Sequence, residues 1–451
     1  MHPEWIDDAV FYHIYPLGLL GAAARNDFSA APHDRLSALE GWLDHIQSLG
    51  ANALYLGPLF ESSAHGYDTA DYYNVDRRLG DNAALQRFSR AVKARGMRLV
   101  LDGVFNHVGR DFWAFRDVLA HGPNSAYRDW FCNLRFDSRS PYGDPFAYEG
   151  WAGHYDLIKL NVQHPDVRQH VFEAVRCWVE QFDIDGLRLD AADVLAPDFL
   201  RALAAHGRGL KSDFWLMGEV VHGDYRRWAN GDMLNATTNY EAYKGLYSSH
   251  NDANYFEIAY AFNRQSGADG LYRDLRLYNF ADNHDVNRVA SALHQPAHLY
   301  PLYGLLFTMP GVPSIYYGSE WGLSGRRTPT SDAGLRPALD LRAMQANAPQ
   351  PDLPGAIRRL AALRHALPAL RRGSYRELHV GHQQMAFARE ADGQTVVVAV
   401  NAADTPANVR VHGLPAAALR DCLNGDMTFA LQGGQATLSV PPNWLRVMVA
   451  E

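Results

Sequence analysis

Short apolar runs alternate with amphipathic stretches from the first residues to about residue 370. Runs this short and this apolar suit strands covered on both faces. They predict strands at 10–16, 53–57, 98–105, 186–191, 214–220, 234–238, 277–281 and 314–318. The stretches between them predict helices at 35–49, 82–95, 165–181, 197–205, 300–308 and 354–366. The stretch from Val167 through Val171, Val175 and Trp178 has the three-and-four spacing of one buried face, with Pro165 and Asp166 suited to its first turn. Strands alternating with helices in this way predict an α/β fold, a (β/α)₈ TIM barrel, with its active site at the strand C-terminal ends.

Two regions break the rhythm. About sixty residues rich in Gly, Pro, Asp and Tyr separate the third strand from Pro165. A structureless loop of that length is unusual in a compact domain, so a small inserted domain is expected there. After about residue 372, alternating runs near Gln384, Thr395 and Ala407 are punctuated by Asp-Gly, Gly-Gly and Pro-Pro turns, which predicts antiparallel strands. The expected organisation is a barrel of residues 1–107 and 165–371, an inserted domain of 108–164, and a C-terminal β-sandwich of 372–451.

The composition is that of a globular protein, 47% hydrophobic and 20% charged over 451 residues. The formal net charge is −8 and the basic residues are scattered, so neither nucleic acid nor a membrane surface is an expected partner. No apolar run reaches the roughly 18 residues of a membrane span. Three widely spaced cysteines, Cys132, Cys177 and Cys422, suggest reduced thiols. The N-terminal residues lack a basic segment followed by an apolar one, so a cytoplasmic location is expected. Aromatic residues make up 12%, which suits stacking on sugar rings but equally suits a large core.

Four segments carry the candidate chemistry: Asp102-Gly-Val-Phe-Asn106-His107, Gly186-Leu-Arg188-Leu-Asp190, Gly218-Glu219 and Asn283-His284-Asp285. Each puts a carboxylate where an apolar run stops. Several carboxylates on one barrel face suit glycosidic cleavage, which needs one as nucleophile and another as proton donor. Arg188 and Asp190 share a strand face, so the cation is expected to keep the acid ionised; a structural ion pair reads the same way. Glu219, at the end of an apolar strand beside other acids, is expected to have a raised pKa and to hold a proton; a helix N-terminal Glu is the alternative. His107 and His284 suit hydrogen bonds to sugar hydroxyls or purely structural roles. A zinc site is not expected: no His-Glu-x-x-His occurs, and the His294–His298 spacing encloses Pro296.

Taken in order, these segments resemble the shared motifs of the α-amylase superfamily, glycoside hydrolase family 13. Gly66-Tyr67-Asp68, Lys159-Leu160-Asn161, Gly57-Pro58-Leu59-Phe60 and the run from Gly311 to Glu320 extend the resemblance over nearly the whole chain. It implies Asp190 as nucleophile, Glu219 as acid/base and Asp285 as the third carboxylate. It implies substrate contacts from Tyr67, Asp102, His107, Arg188, His222, His284 and Arg288, with Tyr67 on the face of the attacked sugar. The implied substrate is an α-glucan oligosaccharide and the implied reaction retaining hydrolysis of α-1,4 bonds. A transglycosylase, or an isomerase resembling trehalose synthase, would use the same residues; a non-catalytic relative would have lost a carboxylate.

Departures refine the expectation. Asp193-Val194 stands where many starch-cleaving members carry Lys-His. The run from Gly218 to His222, with Trp228, Gly231, Asp232, Asn239 and Tyr240, is similar to cyclomaltodextrinases and neopullulanases. Those relatives usually carry an extra N-terminal domain used for dimerisation, whereas this chain starts at the barrel, so no oligomeric state is inferred. Ala191 favours α-1,4 over α-1,6 cleavage. No cofactor is expected and no metal ligand is assigned. The Asn26-Asp27-Phe28 loop is too sparse in acids for calcium, and Asn106, a calcium ligand in some members, lacks an acidic cage.

Overall fold

In the computed structural model, which describes residues 2–451, eight parallel strands form one sheet. They are Phe11–Ile14, Ala53–Leu56, Arg98–Gly103, Gly186–Leu189, Trp215–Gly218, Ala236–Thr237, Tyr278–Phe280 and Val312–Tyr316. The first strand pairs with both the second and the eighth. A parallel bridge between Thr238 and Tyr278 joins the sixth strand to the seventh and closes the ring. The fold is therefore the expected TIM barrel. Most predicted strands run past the observed C-terminal ends. Residues such as Asp190 and Glu219 leave the ladder there and enter the catalytic loops.

The barrel interior is filled by Phe11, Ala53, Tyr55, Val100, Trp215, Met217, Phe280 and Val312, with Trp5 packed on the rings of Phe11 and Trp215. This packing makes the interior a solid support for the strand ends rather than a channel. Helices Leu36–Ser48, Asn82–Ala94, Pro165–Phe182, Pro197–Leu210, Leu299–Thr308 and Leu353–Ala366 surround it, each close to its predicted span. Local chemistry sets several ends. Asp81 caps the second of these through the Ala84 amide, and Pro165 opens the third, which stops at left-handed Asp183. Two more helices, Tyr240–Asn251 and Tyr255–Ser266, follow the sixth strand and have no counterpart in the sequence prediction.

Between the third strand and Pro165, strands His107–Gly109, Gly150–Trp151 and His154–Lys159 make a small antiparallel sheet beside helix Trp113–His121. Beyond the barrel, a six-stranded antiparallel sheet from Ser374–Val380 to Trp444–Ala450 faces a two-stranded one, Ala407–Val411 with Ala436–Val440. Leu378, Val397, Val409, Leu438 and Met448 fill the space between the two sheets. No helix among the described residues is long and apolar enough to cross a membrane.

Candidate active site

Parallel pairing brings the catalytic segments together. Asp102 lies opposite Arg188, and Arg188 opposite Met217, so strands three, four and five end at one level. Asp190 and Glu219 are the next residues out of strands four and five. Their backbone amides still bond to the neighbouring strands, Asp190 N to Gly103 O at 3.1 Å and Glu219 N to Leu189 O at 2.9 Å. Ala191 then turns the chain with φ +45°, a left-handed conformation uncommon outside glycine. That turn aims its N–H at Glu219 Oε2, 3.1 Å away.

Arg188 is the hub. Its Nη1 donates to Asp102 Oδ1 at 3.0 Å and to Asp190 Oδ1 at 2.8 Å, while Nη2 lies 2.9 Å from Glu219 Oε2. One planar guanidinium thus makes the nucleophile and acid/base candidates near neighbours. The geometry leaves one oxygen of each unengaged by Arg188. Asp190 Oδ2 faces His107 Nε2 at 3.8 Å, and Glu219 Oε1 faces the Tyr240 hydroxyl at 3.4 Å.

Arg188 does not by itself hold Asp190 ionised. Burial first, and then the carboxylates of Glu219 and Asp102, push Asp190 well above the usual carboxylate range against the pull of Arg188. Three acids share one cation, so the expectation that Arg188 keeps Asp190 ionised is corrected: it does so only while a neighbouring acid carries the proton.

Asp285 is the contrasting acid. Burial opposes its charge, but His284 and Arg336 outweigh burial and hold it well below the usual range. His284 Nε2 sits 2.9 Å from Asp285 Oδ2, and Arg336 Nη2 donates to Oδ1 at 2.9 Å. Tyr67 donates to Asp102 Oδ2 at 3.0 Å, is hydrogen-bonded to His284, and lies parallel to its ring with centroids 5.4 Å apart. His107 is buried, and that burial, followed by the proximity of His65, lowers its pKa to about 3. The Asn106 amide donates to its Nδ1 at 3.2 Å, which leaves Nε2 protonated and without a partner beside Asp190. His284 Nδ1 is also buried and unpartnered. Such groups need hydrogen bonds that a bound polyol would supply.

Two proposed substrate contacts are not brought to this cluster. Arg288 is fully buried, and its guanidinium donates to Tyr317 O, Ser319 Oγ and Leu335 O beneath the site. Its bonds tie loops together and none is left facing the opening. His222 is exposed near Asp193 and makes no hydrogen bond or ion pair to the Arg188 cluster among the described residues. Conversely, the structure adds Arg336, Tyr240 and Trp151. Trp151 belongs to the inserted sheet and lies 5.4 Å from the His107 ring, on the edge of the opening. Among the described residues, no three His, Cys, Asp or Glu side chains gather in a metal-holding group.

This geometry has known counterparts. The model "Alpha amylase, catalytic domain" matches residues 35–352, and "Maltogenic Amylase, C-terminal domain" matches residues 375–444. A cyclomaltodextrinase from a Bacillus species is 32% identical, covering 88% of this chain and 73% of its own length. Neopullulanase 2 of Thermoactinomyces vulgaris is also 32% identical, covering 98% of this chain and 77% of its own. A cyclic α-maltosyl-(1→6)-maltose hydrolase from Arthrobacter globiformis, solved in complex with that cyclic sugar, superposes with a TM-score of 0.83 at 28% identity, covering 100% of both chains.

Proposed function

This chain belongs to the alpha-amylase family of glycoside hydrolases, and from that premise we propose that it cleaves α-1,4-glucosidic bonds in short or cyclic malto-oligosaccharides with retention of configuration. The observation that carries the reading is the single guanidinium of Arg188 bonded to both Asp190 and Glu219. Retention requires the two carboxyls roughly 5–5.5 Å apart, whereas inversion needs a wider gap for water. Two acids held by one arginine suit the narrow case.

The free oxygens assign the steps. With the shared proton on Glu219 Oε1, the Glu219 charge that disfavours ionised Asp190 is gone, and Glu219 gives that proton to the leaving glycosidic oxygen. Asp190 Oδ2 attacks the anomeric carbon, the glycosidic bond breaks, and a β-linked glucosyl-enzyme forms. Glu219, now a carboxylate, takes a proton from water, whose oxygen displaces Asp190 and restores the α-configuration. Asp285, ionised beside His284 and Arg336, accepts hydrogen bonds from sugar hydroxyls as positive charge develops on the ring. His107 donates through Nε2.

The short or cyclic substrate rests on the names of the relatives and on Asp193-Val194 in place of a Lys-His grip. A cytoplasmic location belongs to the same reading and is supported by three unpaired cysteines. Proton NMR of fresh digests of maltotriose and β-cyclodextrin tests the chemistry. The α-anomer and shorter sugars are expected first, and Asp190→Ala or Glu219→Gln should lower turnover on the order of 10³-fold or more. Initial release of β-anomer, accumulation of longer or rearranged sugars, or near-normal turnover in either variant would overturn the assignment.

A further inference from the structure

The opposite pole of the barrel carries a second constellation, and nothing in the hydrolytic reaction uses it. Arg276 precedes the strand Tyr278–Phe280, and Gly311 precedes Val312–Tyr316, so both lie at the strand N-terminal ends. There, a cavity of about 440 Å³ opens between the barrel and the C-terminal sheet, lined by Arg273, Arg276, Arg371, Arg372, Arg389 and Tyr375 among others. That volume lies within the roughly 300–1,000 Å³ of small-molecule sites.

Charge in this wall is unbalanced. Arg276 bonds Asp7 at 2.7 Å, Arg371 pairs with Asp8, Arg372 pairs with Asp392, and Arg273 lies 3.8 Å from Asp274. Arg389 is 1% exposed and donates to backbone carbonyls, those of Ser374, Thr308 and Gly373. Three bonds leave two of its five N–H donors over. Arg364 is 1% exposed and lies outside the cavity lining; it also donates only to carbonyls, one of them that of the lining residue Gly311, and its Nε has no partner. Neither makes an ion pair among the described residues. Burial first, then neighbouring arginines, disfavours the charge on both and lowers Arg364 to about 9. Guanidinium groups stay protonated in proteins, so the repulsion remains as strain that a bound anion would relieve.

The same wall holds further unpartnered groups. Tyr375 is 3% exposed, lines the cavity, and its hydroxyl has no hydrogen-bond partner. Arg371 Nε is buried and unpartnered too. Unpartnered donors in a wall of arginines suit the acceptor oxygens of an anion.

We propose that this cavity binds a phosphoryl group as its dianion, on inorganic phosphate or on a small sugar phosphate, and thereby ties the C-terminal sheet to the barrel. Five arginines line the cavity against one carboxylate, Asp274, and one of the five, Arg389, has no ion-pair partner among the described residues; the fork geometry of arginine matches phosphoryl oxygens.

Isothermal titration calorimetry and thermal melting of the full chain test this, with sodium phosphate, glucose 6-phosphate and sodium chloride compared at equal ionic strength and pH 7.5. One saturable phosphate site per chain and a melting temperature raised above the chloride control are expected. Arg273→Ser with Arg372→Ser, both at the accessible rim, should weaken binding about tenfold or more while melting in chloride and hydrolysis stay near wild type. Arg389→Gln should weaken binding likewise, with a lower melting temperature in chloride because its bonds to three backbone carbonyls are lost, and Tyr375→Phe supplies a milder variant if it does not fold. Tighter glucose 6-phosphate binding identifies the monoester as ligand, and equal or weaker binding identifies free phosphate. Absence of saturable heat, a melting shift no larger than chloride gives, or undiminished binding in the rim variants would overturn the proposal.

Discussion

At the residue scale, Asp190 and Asp285 show how one pocket holds two carboxylates in opposite condition. Asp285 faces His284 and Arg336, whereas Asp190 must share Arg188 with two other acids. An acid with a raised folded-state pKa binds more protons folded than unfolded. Folding stability therefore falls as pH climbs from the ordinary carboxylate value of about 3.9 through the folded value, and stays reduced above it. Asp285 has the reverse sign, with stability present above the ordinary value and lost as pH falls. Asp190→Asn removes the charge but keeps the shape. It should melt roughly 1–3 °C above wild type at pH 7.5, with the gap closing toward pH 4, while abolishing turnover. Differential scanning fluorimetry at the two pH values decides; a variant melting at or below wild type at pH 7.5 would refute the charge assignment. The acids themselves were legible as strand-end carboxylates. Arg336 was not, because it comes from a loop more than fifty residues beyond His284 whose local sequence has no period. Arg288 was misplaced because a motif match gives proximity along the chain, not the direction in which a guanidinium points.

At the element scale, the eight strands were legible because burial on both faces leaves nearly pure apolar runs. The helices Tyr240–Asn251 and Tyr255–Ser266 were not, since Tyr, Phe, Ser, Asn and Gly dominate them and their intrinsic helix preference is poor. Caps and packing hold the first instead: Asn239 accepts from the Ala242 amide, and Gly245 lets Ile258 approach closely. The strand end at Gly218 has a comparable constraint that bears on catalysis. A Cβ there would lie 2.7 Å from the Ala192 Cβ and 2.4 Å from Leu234 Cδ1. Leu234 can rotate, but Ala192 moves only with its backbone, and the adjoining Ala191 amide holds Glu219. Gly218→Ala should therefore cost about 1–3 kcal/mol through overpacking and lower kcat about 10²-fold through misplacement of Glu219, with native circular dichroism. Unchanged kcat would show that the Ala191–Glu219 bond does not position the acid.

At the scale of the whole molecule, the catalytic face depends on a barrel whose far side is braced by the C-terminal sheets. Helix Leu299–Thr308 is the contact, buried along nearly its whole length because it packs on the barrel and on strand Trp444–Ala450 together. Gly304 makes the approach possible, since a Cβ at that position would lie 2.7 Å from Leu445 Cδ2 and 2.8 Å from Cδ1. The Arg389 guanidinium bonded to Thr308 O and the His298–Ala402 contact of 3.1 Å close the same seam. A glycine inside a helix sacrifices about 1 kcal/mol relative to alanine, so its presence is explained by the neighbour rather than by the helix. Gly304→Ala trades that propensity gain against a clash that a leucine methyl can partly avoid, whereas Gly304→Leu has nowhere to place its side chain. The expected order of melting temperature is wild type, then alanine, then leucine, the last lower by several degrees as overpacking of about 1–3 kcal/mol or more separates sheet from barrel. At 25 °C the Gly304→Ala enzyme should keep its KM for maltotriose, because the seam lies outside the catalytic opening. If Gly304→Leu melts with wild type, the C-terminal sheets do not brace the barrel, and the close approach at Leu445 has no energetic consequence.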